Sequence, residues 1–117
     1  MAKLRIKRIY EAPAKSDGTR ILVDRLWPRG LSKAIAEIDY WAKDVAPSNE
    51  LRQWYAHDPA KWRQFRERYF AELTQNEAGL AQLRAHLGKG VTTLLYQSKE
   101  EKINNAAALK EYLEGKT

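Results

Sequence analysis

Two arginines and a tryptophan stand close together where an apolar stretch of the sequence ends. The segment Asp24-Arg25-Leu26-Trp27-Pro28-Arg29-Gly30 follows the apolar run Ile21-Leu22-Val23. A guanidinium binds carboxylate or phosphate through two parallel hydrogen bonds, and an indole covers the flat face of a ligand or of an arginine. The pattern therefore predicts that an anionic small molecule binds near Arg25, Trp27 and Arg29.

Positive charge is concentrated in the first third of the chain. Residues 1–33 contain nine Lys and Arg against three acidic residues, whereas the rest of the chain contains twelve of each. The formal net charge of +6 therefore lies entirely in this first third. Such a distribution favours an anionic partner, either a small molecule or a nucleic acid contacted by Lys3, Arg5 and Lys7. A basic surface that only maintains solubility is the plainer interpretation.

Composition narrows the classes of protein to which the chain can belong. Its 117 residues are enough for one domain with one hydrophobic core. No apolar run approaches the roughly 20 residues that a membrane-spanning helix needs, and the first residues lack the apolar segment of a secretory signal. Zero cysteines and two histidines argue against a metal centre. We expect one cytoplasmic domain over residues 1–117, without membrane contact or bound metal.

Hydrophobic periodicity predicts the elements that position the anion site. Strands are predicted over residues 4–10, 20–27 and 91–96, the last two as buried central strands. A short helix is predicted over 31–38, an extended segment over 39–45 and a longer helix over 77–87. Further helices are predicted to begin at Ser48, at Asp58 with Pro59 behind it, and at Ser98, where Glu101 completes a capping box.

The order of these elements predicts a fold and a place for the site. A long helical crossover between strands 20–27 and 91–96 suits a parallel pair, hence a small single-domain α/β fold with a mixed or parallel sheet of three to four strands and four to five helices. Ligands bind at the carboxyl edge of such sheets, where a helix amino terminus adds free N–H groups. The predicted ligand-binding residues are Arg25, Trp27, Arg29, Tyr96, Ser98, Asn104 and Asn105.

The sequence leaves open whether this site is catalytic. Two residues are candidates for moving a proton: Asp24 at the end of a strand, and His57, because histidine is a common general acid or base. Asp24 needs a partner if it is buried, and Arg8 on the adjacent strand is the expected one. His57 has the plainer interpretation of a loop histidine. No phosphate loop, dinucleotide glycine pattern or nucleophile elbow occurs, so the motifs identify no cofactor.

Several blocks spread over nearly the whole chain resemble one protein family. They are Lys7-Arg8-Ile9-Tyr10, Val23-Asp24-Arg25-Leu26-Trp27-Pro28-Arg29-Gly30, Lys43-Asp44-Val45-Ala46-Pro47-Ser48, Leu51-Arg52-Gln53-Trp54-Tyr55, His57-Asp58-Pro59, Leu94-Leu95-Tyr96 and Asn104-Asn105-Ala106. This set resembles the YeaO-like proteins of the family called domain of unknown function 488. The family name states no biochemical role, so the resemblance implies no catalytic residues. Members often have small residues and then Asp after the strand, where this chain has Gln97-Ser98-Lys99-Glu100.

Three functions are consistent with these patterns. The first is a cytoplasmic α/β protein that binds a phosphorylated or carboxylated small molecule at the arginine-rich strand end, with catalysis left open. The second is a nucleic-acid-binding protein that uses the basic first third. The third is a protein-interaction module with an exposed aromatic surface. The ligand, the reaction and the oligomeric state cannot be derived from these residues.

Overall fold

One parallel sheet organises the computed structural model, which describes residues 3–115. Its strands in this part of the chain are β1 (Lys3–Arg8), β2 (Thr19–Leu22), β3 (Tyr40–Trp41) and β4 (Val91–Tyr96). They lie in the order β1-β4-β2-β3, and every neighbouring pair is parallel. Ile21 of β2 pairs with Leu94 of β4, which confirms the parallel pairing predicted from the long helical crossover.

Helices pack around this sheet. In residues 3–115 they are α1 (Lys33–Ala36), α2 (Asn49–Tyr55), α3 (Trp62–Thr74), α4 (Glu77–His86) and α5 (Asn105–Leu113). Short 3-10 turns occupy Lys15–Asp17, Lys43–Val45 and Pro59–Lys61. The predicted small α/β fold is therefore confirmed, and its sheet is parallel rather than mixed. No helix in the described range is long and apolar enough to cross a membrane.

Strand alternation divides the buried side chains between the two faces of the sheet. Ile21, Val23 and Leu94 belong to the main core, to which the helices contribute Leu51, Tyr55, Phe65, Tyr69, Leu73, Leu83 and Leu109. Leu22 and Leu95 directly follow Ile21 and Leu94, so their side chains face the other side of the sheet. There they form a smaller cluster with Ile9, Ala36, Trp27 and Trp41. The two central strands are therefore apolar on both faces, as their continuous apolar runs predict.

Polar side chains cap the helices at their amino termini. Ser48 Oγ accepts a hydrogen bond from Leu51 N at 3.1 Å, as predicted, and Asp58 Oδ1 accepts one from Ala60 N at 3.0 Å. Asp58 thereby opens the 3-10 turn that leads into α3.

The predicted capping box at Ser98 and Glu101 is wrong. Ser98 Oγ accepts from Glu100 N within a loop, and α5 begins only at Asn105. Its cap is Asn104, whose Oδ1 accepts from Ala107 N at 2.8 Å. Asparagine caps helices as well as serine does and is a poor residue inside one, so the helix begins at the second of two available caps.

Several predicted boundaries are too long. β2 ends at Leu22 instead of residue 27, and α1 covers only four residues of the predicted 31–38 segment. The extended segment predicted over 39–45 is a two-residue strand followed by a 3-10 turn. The early end of β2 matters for the site, because Arg25 and Trp27 lie in the segment after the strand and not within it.

Candidate functional site

A cavity of about 580 Å³ opens at the carboxyl edge of the sheet. Its lining comes from the segments that follow β1, β2 and β4 and from the ends of neighbouring helices. These residues are Arg8, Tyr10, Asp24, Arg25, Leu26, Pro47, Arg52, Tyr55, His57, Phe65, Gln97, Ser98, Lys99, Glu100, Asn104 and Asn105. The cavity thus lies at the sheet edge where ligands bind in open α/β folds.

Arg8, the last residue of β1, is held in place on three sides. Its Nε donates to the carbonyls of Gln97 at 3.0 Å and Ser98 at 3.1 Å. The guanidinium carbon lies 4.8 Å from the ring centroid of Tyr10, which covers one face of the group. Neither terminal nitrogen donates to another residue in the described range, so the outer fork of Arg8 is available to an anion.

Arg25 and Arg52 bring two further guanidinium groups to the cavity. Arg25 donates through Nε to the carbonyl of Pro47 at 3.1 Å and through Nη2 to that of Ala46 at 3.0 Å. Arg52 of α2 is exposed, and its Nη2 donates to Asn49 Oδ1 at 3.2 Å. Arg25 is therefore held by backbone carbonyls, whereas Arg52 is exposed and donates to one neighbouring side chain.

Asp24 lines the cavity as a carboxylate held by amide groups. Its Oδ1 accepts from Asn105 Nδ2 at 2.8 Å, and its Oδ2 accepts from Gln97 N at 2.8 Å. Burial raises the pKa of Asp24 above its ordinary value of 3.8, and these hydrogen bonds offset the rise only in part. The prediction that Arg8 pairs with Asp24 is wrong, because Arg8 donates to the carbonyls of residues 97 and 98 instead.

His57 lies at the exposed rim in a strained backbone conformation. His57 has a φ of 58°, and Ala56 before it has a φ of 46°, so two successive non-glycine residues adopt the left-handed region. Its ring lies 6.2 Å from that of Tyr55. No hydrogen bond joins His57 to Asp24 or to another side chain within residues 3–115, so the two proton-carrying candidates share a cavity without contacting each other.

One wall of the cavity is apolar. The rings of Tyr55 and Phe65 stack with centroids 4.3 Å apart and an interplanar angle of 26°. Both rings belong to the main core and are only 5% and 2% exposed, so little of either is open to the cavity, which cationic side chains also line. Buried Pro47 and exposed Leu26 also line the cavity. Within the described residues, no group of three or more His, Cys, Asp or Glu is arranged to hold a metal ion.

The structure brings together only some of the predicted site residues. Arg25, Ser98, Asn104 and Asn105 line the cavity with Asp24 and His57, but Trp27, Arg29 and Tyr96 do not. Trp27 donates to the carbonyl of Leu31 at 2.7 Å and packs edge-on against Trp41 in the smaller cluster. Tyr96 is buried in the main core.

Arg29 is exposed, and within residues 3–115 its hydrogen bond is made by the backbone carbonyl, which accepts from the hydroxyl of Tyr10 at 3.0 Å. Trp27 and Arg29 lie outside the cavity lining that was predicted to include them, and β2 ends five residues before Trp27. Among the cavity residues that sequence reasoning missed as ligand contacts are Arg8, Arg52 and Tyr10. The blocks around Lys7-Arg8-Ile9-Tyr10 and Leu51-Arg52 are the signals that could have indicated them.

A family comparison identifies the chain. The family model described as "Inactive DUF488-N3 subclade" matches residues 3–117. The chain belongs to the DUF488 family. The similarity thus spans every strand and helix that builds the cavity.

Relatives in two bacterial lineages are similar over nearly their whole length. The chain is 42% identical over 110 residues to the uncharacterized protein YeaO of Escherichia coli, covering 94% of this chain and 96% of YeaO. It is 41% identical over 114 residues to an uncharacterized protein of Mycobacterium tuberculosis, covering 97% of this chain and 96% of the relative. This DUF488 protein is therefore YeaO-like. No solved structure matches it.

Proposed function

We propose that this DUF488 protein binds a small organic anion, a carboxylate or a phosphate ester, in the cavity at the sheet edge and does not turn it over. The observation that carries the proposal is the arrangement of Arg8. Two backbone carbonyls hold its Nε and a tyrosine ring covers its face, which leaves the two terminal nitrogens for a ligand. A guanidinium fixed in this way loses little conformational freedom when it binds an anion.

Three observations support binding without catalysis. Both oxygens of Asp24 already accept hydrogen bonds from amide groups, and His57 does not contact this carboxylate. The segment after β4 is Gln97-Ser98-Lys99-Glu100, which lacks the Asp that the family resemblance leads us to expect there. The matching subclade is described as inactive. A general acid or base needs a positioned partner, and none of these groups supplies one.

The positions of the Lys and Arg side chains in residues 1–33 favour anion binding in the cavity over nucleic-acid binding on the surface. Lys7 and Arg20 both pair with Asp17, at 3.1 and 2.6 Å, and Arg20 is buried. Arg8 and Arg25 donate to carbonyls beside the cavity. Two of the nine positive charges are therefore paired within the protein and two line the cavity, which leaves fewer cations on a surface that would contact a phosphate backbone.

The experiment is calorimetric titration with four anions: acetate, inorganic phosphate, phenylacetate and phenyl phosphate. At least one should bind the wild-type protein. Arg8→Gln should weaken that binding by roughly 10- to 100-fold, because a charge-assisted two-pronged contact is lost. Arg8→Lys should recover only part of the affinity, since an ammonium lacks the fork.

Arg29→Gln is the matched control, because Arg29 is exposed and does not line the cavity. Its affinity should equal that of the wild type, and circular dichroism should show that all variants are folded. The proposal is wrong if none of the four anions binds at millimolar concentration, or if Arg29→Gln weakens binding as much as Arg8→Gln. Salt-sensitive binding of an oligonucleotide without binding of any anion would favour the nucleic-acid function instead.

A further inference from the structure

On the basis of the proposed function, we infer that the ligand is a short organic anion that also carries a hydroxyl group. Arg8 binds the carboxylate or phosphate head, and Asp24 and Asn105 accept the hydrogen bond of the hydroxyl. All three residues line the same cavity. A hydroxylated anion therefore meets both kinds of group, whereas a plain anion meets only the cation.

The side-chain amide of Asn105 is oriented with its oxygen free. Its Nδ2 donates to the backbone carbonyl of Val23 at 3.0 Å and to Asp24 Oδ1 at 2.8 Å, which uses both N–H groups. The reverse orientation would place the amide oxygen against two acceptors, so these contacts fix which atom is Oδ1. Within residues 3–115, Asn105 Oδ1 accepts no hydrogen bond, whereas every buried side-chain nitrogen or oxygen has a partner. Asn105 Oδ1 is therefore an acceptor open to solvent, on a residue that lines the cavity.

Asp24 adds a charged acceptor beside this amide. Asn105 Nδ2 and Gln97 N each donate to one of its oxygens at 2.8 Å, and the Gln97 side chain also stabilises its charge. A carboxylate offers about four lone-pair positions, so at least one remains for a ligand. Burial raises the pKa of Asp24 despite these contacts, because they do not fully replace the water that burial removes. A ligand hydroxyl would supply a further donor.

The backbone of Gln97 sets the separation between Arg8 and Asp24. Its carbonyl accepts from Arg8 Nε at 3.0 Å, and its N–H donates to Asp24 Oδ2 at 2.8 Å. Because a short covalent path joins the nitrogen and the oxygen of one residue, Arg8 Nε and Asp24 Oδ2 lie within roughly 10 Å of each other. Once a hydrogen bond of about 2.8 Å is allowed at each end, a ligand of a few atoms reaches both groups.

The charge of the lining favours a hydroxyl over an ammonium as the donor of the ligand. Cationic side chains outnumber carboxylates in the lining, with Arg8, Arg25, Arg52 and Lys99 against Asp24 and Glu100. An ammonium would enter a field of net positive charge, whereas a hydroxyl donates a hydrogen bond without adding charge. The same excess of cations suits a carboxylate or a phosphate head, so the hydroxyl is the distinguishing feature of the ligand.

The test is calorimetric titration with two matched series of anions. Propionate, lactate and alanine share one carbon skeleton and carry a hydrogen, a hydroxyl or an ammonium beside the carboxylate. Propyl phosphate and glycerol 3-phosphate make the comparison for a phosphate head. In at least one series the hydroxylated anion should bind about 10-fold tighter than its plain counterpart, because a hydrogen bond to a charged acceptor is gained. Alanine should bind more weakly than lactate.

Asn105→Ala and Asp24→Asn test which groups receive the hydroxyl. Each should reduce the preference for the hydroxylated anion to about 3-fold or less without weakening the binding of the plain anion. Gln53→Ala is the matched control, because Gln53 is an exposed amide of α2 outside the lining and its loss should leave the preference unchanged. The preference is a ratio measured within each protein, and circular dichroism checks that each variant is folded. If Asp24→Asn does not fold, Asn105→Ala and the wild-type series decide.

The outcomes separate this inference from the proposed function. If plain anions bind and the hydroxylated ones bind no tighter in either series, or if Asn105→Ala keeps the full preference as Gln53→Ala does, the hydroxyl site is wrong and the proposed anion site stands. If alanine binds tighter than lactate, the choice of a hydroxyl over an ammonium is wrong. If no anion binds, both the inference and the proposed function fail.

Discussion

Two aspartates in this protein have different partners, and the pKa of each moves accordingly. Asp17 Oδ2 accepts hydrogen bonds from Arg20 Nη1 at 2.6 Å, Lys7 Nζ at 3.1 Å and Ala14 N at 3.0 Å. Burial alone would raise the pKa of Asp17, but these hydrogen bonds and the positive charge of Lys7 outweigh it and lower the pKa below 3.8. Asp24 is contacted by amide donors, and burial raises its pKa.

The lowered pKa of Asp17 predicts acid sensitivity. A carboxyl whose pKa is lower in the folded protein stabilises it above the unfolded value, here near 3.8, and this contribution is lost as pH falls through the folded pKa. Asp17→Asn should lower the free energy of unfolding at pH 7 by about 3 kcal/mol or more, because the buried Arg20 loses its counter-charge. Denaturant unfolding at pH 7 and pH 3 measures both effects.

Asp58→Asn is the control for this prediction, since Asp58 is exposed and asparagine caps a helix equally well. The difference in stability between wild type and Asp17→Asn should shrink from pH 7 to pH 3. A difference that stays constant over this range would show that the Asp17 charge does not contribute. The raised pKa of Asp24 acts in the opposite direction, because its contribution is present below 3.8 and is lost as pH rises through the folded pKa.

At the residue scale, the sequence predicts part of the candidate site. Arg25, Ser98, Asn104 and Asn105 line the cavity because each follows a strand or opens a helix at the same edge of the sheet. The local sequence pattern could not predict that Arg8 lines the cavity. Its direction depends on the carbonyls of Gln97 and Ser98, about ninety positions away in the chain, and on the ring of Tyr10.

At the element scale, Gly18 joins the Lys15–Asp17 turn to β2 in a conformation that other residues rarely adopt. Its φ is 64° and its ψ is −133°, and a Cβ atom there would lie 2.1 Å from the carbonyl oxygen of Val91. Gly18→Ala should therefore lower the free energy of unfolding by at least about 1–3 kcal/mol, since both the backbone and the neighbouring strand must shift. Thermal unfolding measures the loss.

Gly90→Ala provides the matched control for Gly18→Ala. Gly90 does not require a positive φ, and a Cβ atom there meets nothing within 4 Å. Its melting temperature should stay close to that of the wild type. Equal melting temperatures for Gly18→Ala and the wild type would contradict the close approach of this turn to β4.

The sequence predicts whether a segment is a helix or a strand where its apolar pattern continues over many residues. It predicts the boundaries of these elements less accurately. β4 and α4 match their predicted segments to within a residue, because each has an unbroken apolar pattern between clear stops. The predicted end of β2 and the predicted start of α5 were wrong. Asp24 leaves the strand to meet Asn105 and Gln97, and these partners come from the other end of the chain.

At the scale of the whole molecule, the fold explains where the excess positive charge lies. β1 is an edge strand, and its exposed side chains include Lys3 and Arg5. Charged side chains on an edge strand oppose pairing with a second chain, so these two cations have a structural use. Other cations of the first third surround the cavity or pair with Asp17. Positive charge of the first third thus lies at the sheet edge, in pairs with Asp17 and around the cavity, while Lys15, Arg29 and Lys33 are exposed outside these three places.

The central claim is that Arg8 presents its guanidinium fork to an organic anion inside the cavity. The most direct measurement is the nitrogen-15 NMR spectrum of the arginine Nε–H groups during titration with lactate or glycerol 3-phosphate, whichever binds tighter. We expect the Arg8 signal to shift in a saturable manner, with a smaller shift for Arg52 and none for the exposed Arg29. Saturable binding that moves the Arg29 signal and leaves Arg8 unchanged, or no shift of any arginine signal, would contradict the account.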